Sequence, residues 1–292
     1  MKHFGFGLGL LLVALSPAGA QVTAEVVLDQ DQFLPGEALP AAVRITNRSG
    51  QTLRLGAEND WLTFSVEAPD NAVAPKIGDV PVKGEFVVES SQRATKHVDL
   101  APYFALGRPG RYAVMASVRI KDWDHEIISS PKNFYVIEGT KLWEREFGIP
   151  NTVGATNAAP EVRRYILQQA NYLRGELRLY LRVTDVSGAR VFRTVPVGSL
   201  LNFSRPEAQL DKVSNLHVMY QSGPQSFSYT VFNPDGELIA RQTHDYINTR
   251  PRMQADAEGT ISVTGGVRRL SANDRPAPKP VSAADDAPAS KP

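Results

Sequence analysis

The densest group of chemistry-bearing side chains is the run Lys121-Asp122-Trp123-Asp124-His125-Glu126. Carboxylates beside an imidazole can hold a divalent ion, but a metal site needs its ligands fixed by further hydrogen bonds, and nothing in the spacing supplies them. The run lies between two strand-like segments, so it reads as a solvated loop with Trp123 packed on the end of the fold. Such a loop is where a partner would be met, which makes Asp122, Trp123, Asp124 and His125 candidate partner contacts. A second group, Arg250 to Gly266, sets Asp256 and Glu258 ahead of Gly259 in the manner of a calcium loop. Calcium wants several oxygen ligands at alternating positions, and this stretch has two.

A related stretch in the same chain decides between ion and turn. Arg205-Pro206 matches Arg250-Pro251, Asp211 matches Asp256, Leu216 matches Ile261 and Val218 matches Val263, each 45 positions on. The sister copy keeps the Asp but has Val213 where Glu258 stands, so an acidic ligand set is not what repeats. What repeats is Asp, a turn-tolerant residue three positions later (Ser214, Gly259), then an apolar residue, any residue and Val. Asp closes the turn onto its own backbone and Gly supplies the positive φ.

Other groups read as structural or interfacial. The Arg205 and Arg250 pair can clamp an anion; the plainer expectation is that each bonds local carbonyls or the repeat's own Asp. His217, between Leu216 and Val218, is expected on the face opposite those two, as a surface or interface histidine. In "LRLYLRVTD", Arg178, Tyr180 and Arg182 share one face and Leu177, Leu179, Leu181 and Val183 the other. An Arg/Tyr stripe suits an interface, and Arg stems equally cover an exposed sheet; both readings stand. No Cys, no Gly-x-Ser-x-Gly and no phosphate-cradling Gly loop is present. The chain is therefore read as a non-enzyme, with no cofactor expected.

The elements that must carry these groups are strands. From Val22 to about Glu138, Val43/Ile45, Leu62/Phe64/Val66, Tyr112/Val114/Ala116/Val118/Ile120 and Phe134/Val136 alternate between Gly/Pro/Asn turns, as in an antiparallel β-sandwich. "LPGEALPAAVRITNRSG" and "LGRPGRYAVMASVRI" carry a Pro-Gly-Glu bend, a strand ending in Asn and a Gly-x-Tyr strand entry. On these residues the segment resembles bacterial secreted Ig-like domains, similar to intracellular-proteinase-inhibitor-type and fibronectin-like modules. The resemblance implies a fold more than an activity.

Further along, "DVSGARVFR" matches "NPDGELIAR", with Gly188 against Gly236 at 48 positions. Together with the Asp-turn match this defines two repeats, about 176–218 and 226–263, that resemble β-propeller blades in period. Two blades do not close a propeller; the pair is expected to lean on the first domain, with packing as a sandwich or homo-oligomerisation through the repeats as the alternatives. Residues 162–174 are open between strand and helix: Val162, Ile166 and Leu173 suit a helix, whereas "YILQQ" falls where the repeat has "LHVMY".

The expected organisation is a signal peptide at 1–20, an Ig-like sandwich at 21–138, a partly docked linker at 139–160, the two-repeat β-domain at 161–270 and a disordered Pro/Ala-rich tail at 271–292. Loss of Lys2 with the signal brings the formal charge of +1 to zero, which excludes a strongly basic nucleic-acid surface. No later run is long and apolar enough to span a membrane. The expectation is an exported, periplasmic or extracellular binding or scaffold protein whose partner is another protein or an envelope component. The alternatives are a proteinase inhibitor acting through a loop of the first domain, then a carbohydrate-binding module.

Overall fold

A computed structural model describes residues 22–149, 161–172, 175–201 and 204–275. The predicted signal peptide, and the predicted tail beyond Arg275, lie outside them. The described chain is nearly all β, in several sheets, none of them closed.

The first module contains β1 (Val22–Leu28), β2 (Gln32–Phe33), β3 (Pro40–Asn47), β4 (Leu53–Leu55), β5 (Leu62–Glu67), β6 (Phe86–Val88), β7 (Arg93–Asp99), β8 (Gly110–Ile120), β9 (His125–Ile128) and β10 (Lys132–Val136). One sheet runs β1-β3-β7 and the facing one β2-β10-β8-β5, with β9 on β8; β4 and β6 form a small separate pair. The alternating residues read from the sequence enter one shared core, with Val43, Val66, Val114, Ala116, Val118 and Phe134 fully buried. β2 departs from the antiparallel expectation, pairing parallel with β10 over Gln32 and Phe33. Two polar anchors hold the ends. Asn47, fully buried, donates to Gln51 O (2.7 Å) and Val88 O (2.8 Å) and accepts from Ser49 N. Tyr112 Oη donates to Arg108 O at 2.8 Å.

The rest is a stack of three sheets. The inner sheet is a meander of β11 (Thr140–Gly148), β12 (Val162–Tyr172), β13 (Glu176–Asp185) and β14 (Val191–Ser199). The middle sheet is β15 (Glu207–Leu210), β16 (Leu216–Gln221), β17 (Ser226–Phe232) and β18 (Leu238–Asp245), with β21 (Val267–Arg269) on the edge of β18. The end sheet has only β19 (Arg252–Ala255) and β20 (Ile261–Thr264).

Residues 162–172 are thus strand. β12 is buried on both faces, Tyr165 and Leu167 on one and Gln168 and Ala170 on the other; of the helically spaced residues Val162 is exposed and Ile166 half-buried, and Leu173 lies outside the described residues. The predicted linker needs correcting too. Residues 140–148 are β11, whose period is broken by a register shift between Lys141 and Trp143; residues 150–160 lie outside the described chain. The tail likewise starts later than predicted. Ser271 and Asp274 hydrogen-bond Thr243, and Arg275 exchanges two backbone bonds with Arg241.

The repeat is visible in the turns. Asp185/Gly188, Asp211/Ser214, Asn233/Gly236 and Asp256/Gly259 each close with an N–H three residues on donating to the first carbonyl. Each third residue has φ between 66° and 76°. The Asx side chain then accepts from a backbone N–H, for example Asp211 from Asn215 (2.8 Å) and Asp256 from Thr260 (2.7 Å). Layering repeats as well. Leu179, Leu181 and Val183 of β13 face the middle sheet, as Phe227, Tyr229 and Val231 of β17 face the end sheet. Leu216 and Val218 of β16 face back towards the inner sheet, as Ile261 and Val263 of β20 face back towards the middle one.

Candidate functional site

The predicted contacts separate into an internal interface, an exposed loop and a pair of structural hinges. The Arg178/Tyr180/Arg182 stripe lies on the outer face of β13, and that face receives the first module. Tyr180, 1% exposed, packs with Ala170, Leu34 and Ile137. The Pro-Gly-Glu bend lands beside it. Thr194 Oγ1 donates to Pro35 O at 2.9 Å, and Glu37 bridges to Thr194 in strand fashion. Glu37 is buried, accepts from Leu34 N (2.9 Å) and Gln30 Nε2 (3.1 Å), and is held above the usual carboxylate range by desolvation, against the pull of those bonds and of the Arg178 charge. Arg182 is half-buried with its Nε unbonded, and burial lowers its pKa. The stripe is an interface, and what it meets is this chain's own first module.

The predicted Asp122–Glu126 loop is largely exposed but is loop only as far as Asp124: His125 and Glu126 open β9 and pair with Ile120 and Arg119 of β8. Lys121–Trp123 make one 3-10 turn, Asp124 takes a left-handed φ of 46°, and Trp123 packs partly onto the sandwich core. No group of three or more acidic or histidine ligands converges among the described residues. Arg119 pairs with Asp60, Lys121 with Glu58 and Ser117 with Glu126. A shallow hollow beside the loop is lined by Asp60, Thr63, Arg119, Asp124, His125 and Glu126.

The repeat residues are hinges. Arg205 and Arg250 are exposed, and neither hydrogen-bonds a repeat Asp among the described residues, because Asp211 and Asp256 are committed to their own turns. Arg250 instead stacks its guanidinium 5.1 Å from the Phe227 ring centre, while Pro251 is buried. Pro206 is half-buried, and Gly259 holds its turn with a φ of 76°.

The structure adds a site that alternation did not point to. His217 does point away from Leu216 and Val218, but it is 7% exposed, because the end sheet covers that face. With Asp211 ionised, Nε2–H donates to its Oδ2 at 3.2 Å, leaving Nδ1 to accept from Tyr229 Oη at 2.6 Å. Desolvation lowers the His217 pKa despite Asp211, and raises Tyr229 to about 12. At neutral pH the imidazole is uncharged and the phenol protonated, so His217 and Tyr229 form a neutral pair clasping two strands, and the only charge in the trio is that of Asp211 in its turn. It borders a cleft of about 490 Å³ between the middle and end sheets. Val231, Ile239, Ala240, Ile261 and Val263 line it apolarly, with His217, Gln242 and His244 at its polar points. The one sequence signal for it was the chemistry of His217 itself; the tyrosine lies twelve residues away on the next strand.

No family model matches the chain, and no curated protein matches it. Among solved structures it is similar to the crystal structure of Spo0M, a sporulation control protein from Bacillus subtilis. Sequence identity is 10%, coverage is 75% of this chain and 79% of that one, and the TM-score is 0.31. A likeness of that degree assigns no family.

Proposed function

We propose that this chain is an exported, non-catalytic binding protein acting by protein–protein contact in the periplasm or outside the cell. The first module is of the Ig-like kind, a reading supported by Tyr112 reaching back to the Arg108 carbonyl at a strand entry. The stacked meanders are blade-like in their period and repeated turns.

The observation that carries the reading is the cleft between the middle and end sheets. Apolar walls with a few convergent polar groups are the usual composition of a recognition surface, and the neutral His217–Tyr229 clasp offers no activated nucleophile. The Asp122, Trp123, Asp124 and His125 loop is a second, polar contact surface on the same reading.

The test is affinity capture from native envelope extract with the mature chain and with Gln242→Trp, which fills the cleft from a half-buried position. A partner recovered by the parent and lost with the variant is the expected result. Recovery of the same proteins by both would place the contact elsewhere.

A further inference from the structure

The cleft lies along a strand edge, and the repeat says what is missing from that edge. Among the described residues the inner sheet has four meander strands and the middle sheet four plus β21, yet the end sheet has two. In the middle sheet the register about the Asp211 turn turns the backbone groups of Leu216 and Val218 away from β15 and towards β17, where they face Phe232 and Thr230. Their repeat equivalents are Ile261 and Val263. The Asp256–Thr260 pair and the β19–β20 register turn these two outward in the same way. Among the described residues no strand meets them: after β20 the chain turns at Gly265 and Gly266 (φ 71° and 63°) and leaves to pair β21 with β18. The opposite edge of the end sheet is different, since Met253 N–H is taken by the Glu207 carboxylate at 3.3 Å.

We propose that the β20 edge is a strand-addition site: an extended peptide pairs antiparallel with Ile261 and Val263 and sets every second side chain on Val231, Ile239 and Ala240. The occupant is defined by β17, which fills the equivalent place in the middle sheet as Ser-Phe-Ser-Tyr-Thr-Val-Phe and turns Ser228, Thr230 and Phe232 to the face it shares with Leu216 and Val218; the bound peptide would turn the same three positions into the cleft. This chain's own last residues do not qualify. Residues 276–292 have prolines at 276, 278, 280, 288 and 292 and a single large apolar residue, Val281, so they lack both the donors and the side chains. A second copy paired β20 to β20 does not qualify either. Antiparallel neighbours show opposed side chains on one face, so two middle sheets would claim the same space. Backbone pairing with pockets for alternate side chains is an established mode of peptide recognition.

The inference rests on the binding reading above and names its chemistry. The probe is a labelled peptide of the β17 sequence, added to the mature chain and followed by fluorescence anisotropy and amide exchange. Expected are saturable binding and slowed exchange at the Ile261 and Val263 amides. Val263→Pro removes an outward donor while leaving the Gln254–Ser262 pairing intact, and weakens binding about tenfold; persisting protection of the Gln254 and Ser262 amides confirms that the sheet survives. The same peptide with Pro in place of its threonine tests the donor from the other side, with the protein unchanged, and should lose at least as much. Failure of the peptide to bind, unchanged exchange at Ile261 and Val263, or equal binding by both proline controls overturns strand addition. Capture lost with Gln242→Trp alongside a peptide that does not bind would leave the binding reading standing and sink this one.

Discussion

Replacing Gly36 by Ala tests how firmly the first module is seated on the inner sheet. Gly36 has a φ of 79°, and an added Cβ would lie 2.7 Å from Val191 Cγ1 and 3.2 Å from Thr194 Oγ1. Gly259 supplies the control: its φ is 76°, and its Cβ would meet nothing within 4 Å. Both substitutions incur the left-handed backbone cost of about 1–2 kcal/mol, offset by about 0.4–1 kcal/mol from the stiffer unfolded chain. Gly259→Ala should therefore cost about 1 kcal/mol or less. Gly36→Ala must also push Val191 and Thr194 back. It then meets an overpacking cost of about 1–3 kcal/mol and loses most of the Thr194–Pro35 hydrogen bond, about 0.5–1.5 kcal/mol. The expected difference between the two variants is about 1.5–4.5 kcal/mol, read from urea denaturation curves with fluorescence reporting each module. Limited proteolysis near Ile137–Gly139 should accelerate for Gly36→Ala alone. Equal destabilisation by the two substitutions would refute the docked junction.

Three further outcomes follow from buried polar groups. Tyr229→Phe leaves the His217 Nδ1 without its donor and should cost about 1–3 kcal/mol by thermal denaturation, whereas an exposed histidine would register almost no change. His217 titrates below its ordinary 6.5 when folded, so the unfolded chain binds the extra proton. Stability should be full above that value and decline as pH falls below it, and His217→Gln should shrink the decline between pH values of about 7.5 and 5.5. Glu37 has the opposite sign: its carboxyl is raised from 4.5 by desolvation, the folded state holds the proton longer, and stability should fall as pH rises from about 4.5 through that raised value. Glu37→Gln should flatten that fall in a pH series of denaturation midpoints. Asn47→Ala removes its donors to the buried Val88 carbonyl and the part-buried Gln51 carbonyl and should cost about 1–3 kcal/mol, against a few tenths for Arg48→Ala on the exposed neighbour.

What sequence reasoning could reach depended on how many faces of a strand are covered. In the sandwich each sheet has one dry face, so alternation located Val43, Phe64, Val114 and Phe134 in the core. In the stack both faces are covered, and alternation no longer says which side is wet. Hence β16 is buried throughout from Leu216 to Tyr220, and His217 read as surface. Arg178 and Tyr180 were legible as interfacial by type; their partner was not, because Leu34 and Glu37 are over 130 residues away in sequence. The turns were legible because their chemistry is local: Asp211 and Asp256 bond within four residues of themselves. The β20 edge could not be seen from the sequence, since an open edge is a property of what fails to pair with it.

β10 ends at Val136 and β11 begins at Thr140, so the two modules are joined by Ile137, Lys-free and short, through Gly139. Ile137 N–H is bonded to Phe33 O at 2.8 Å, and its side chain sits against Leu34, Ala170 and Tyr180. Three residues span about 10 Å even when fully extended, which leaves no slack. Tension applied between the sandwich and the stack therefore passes at once into the sheet hydrogen bonds on either side and into the Pro35–Thr194 contact.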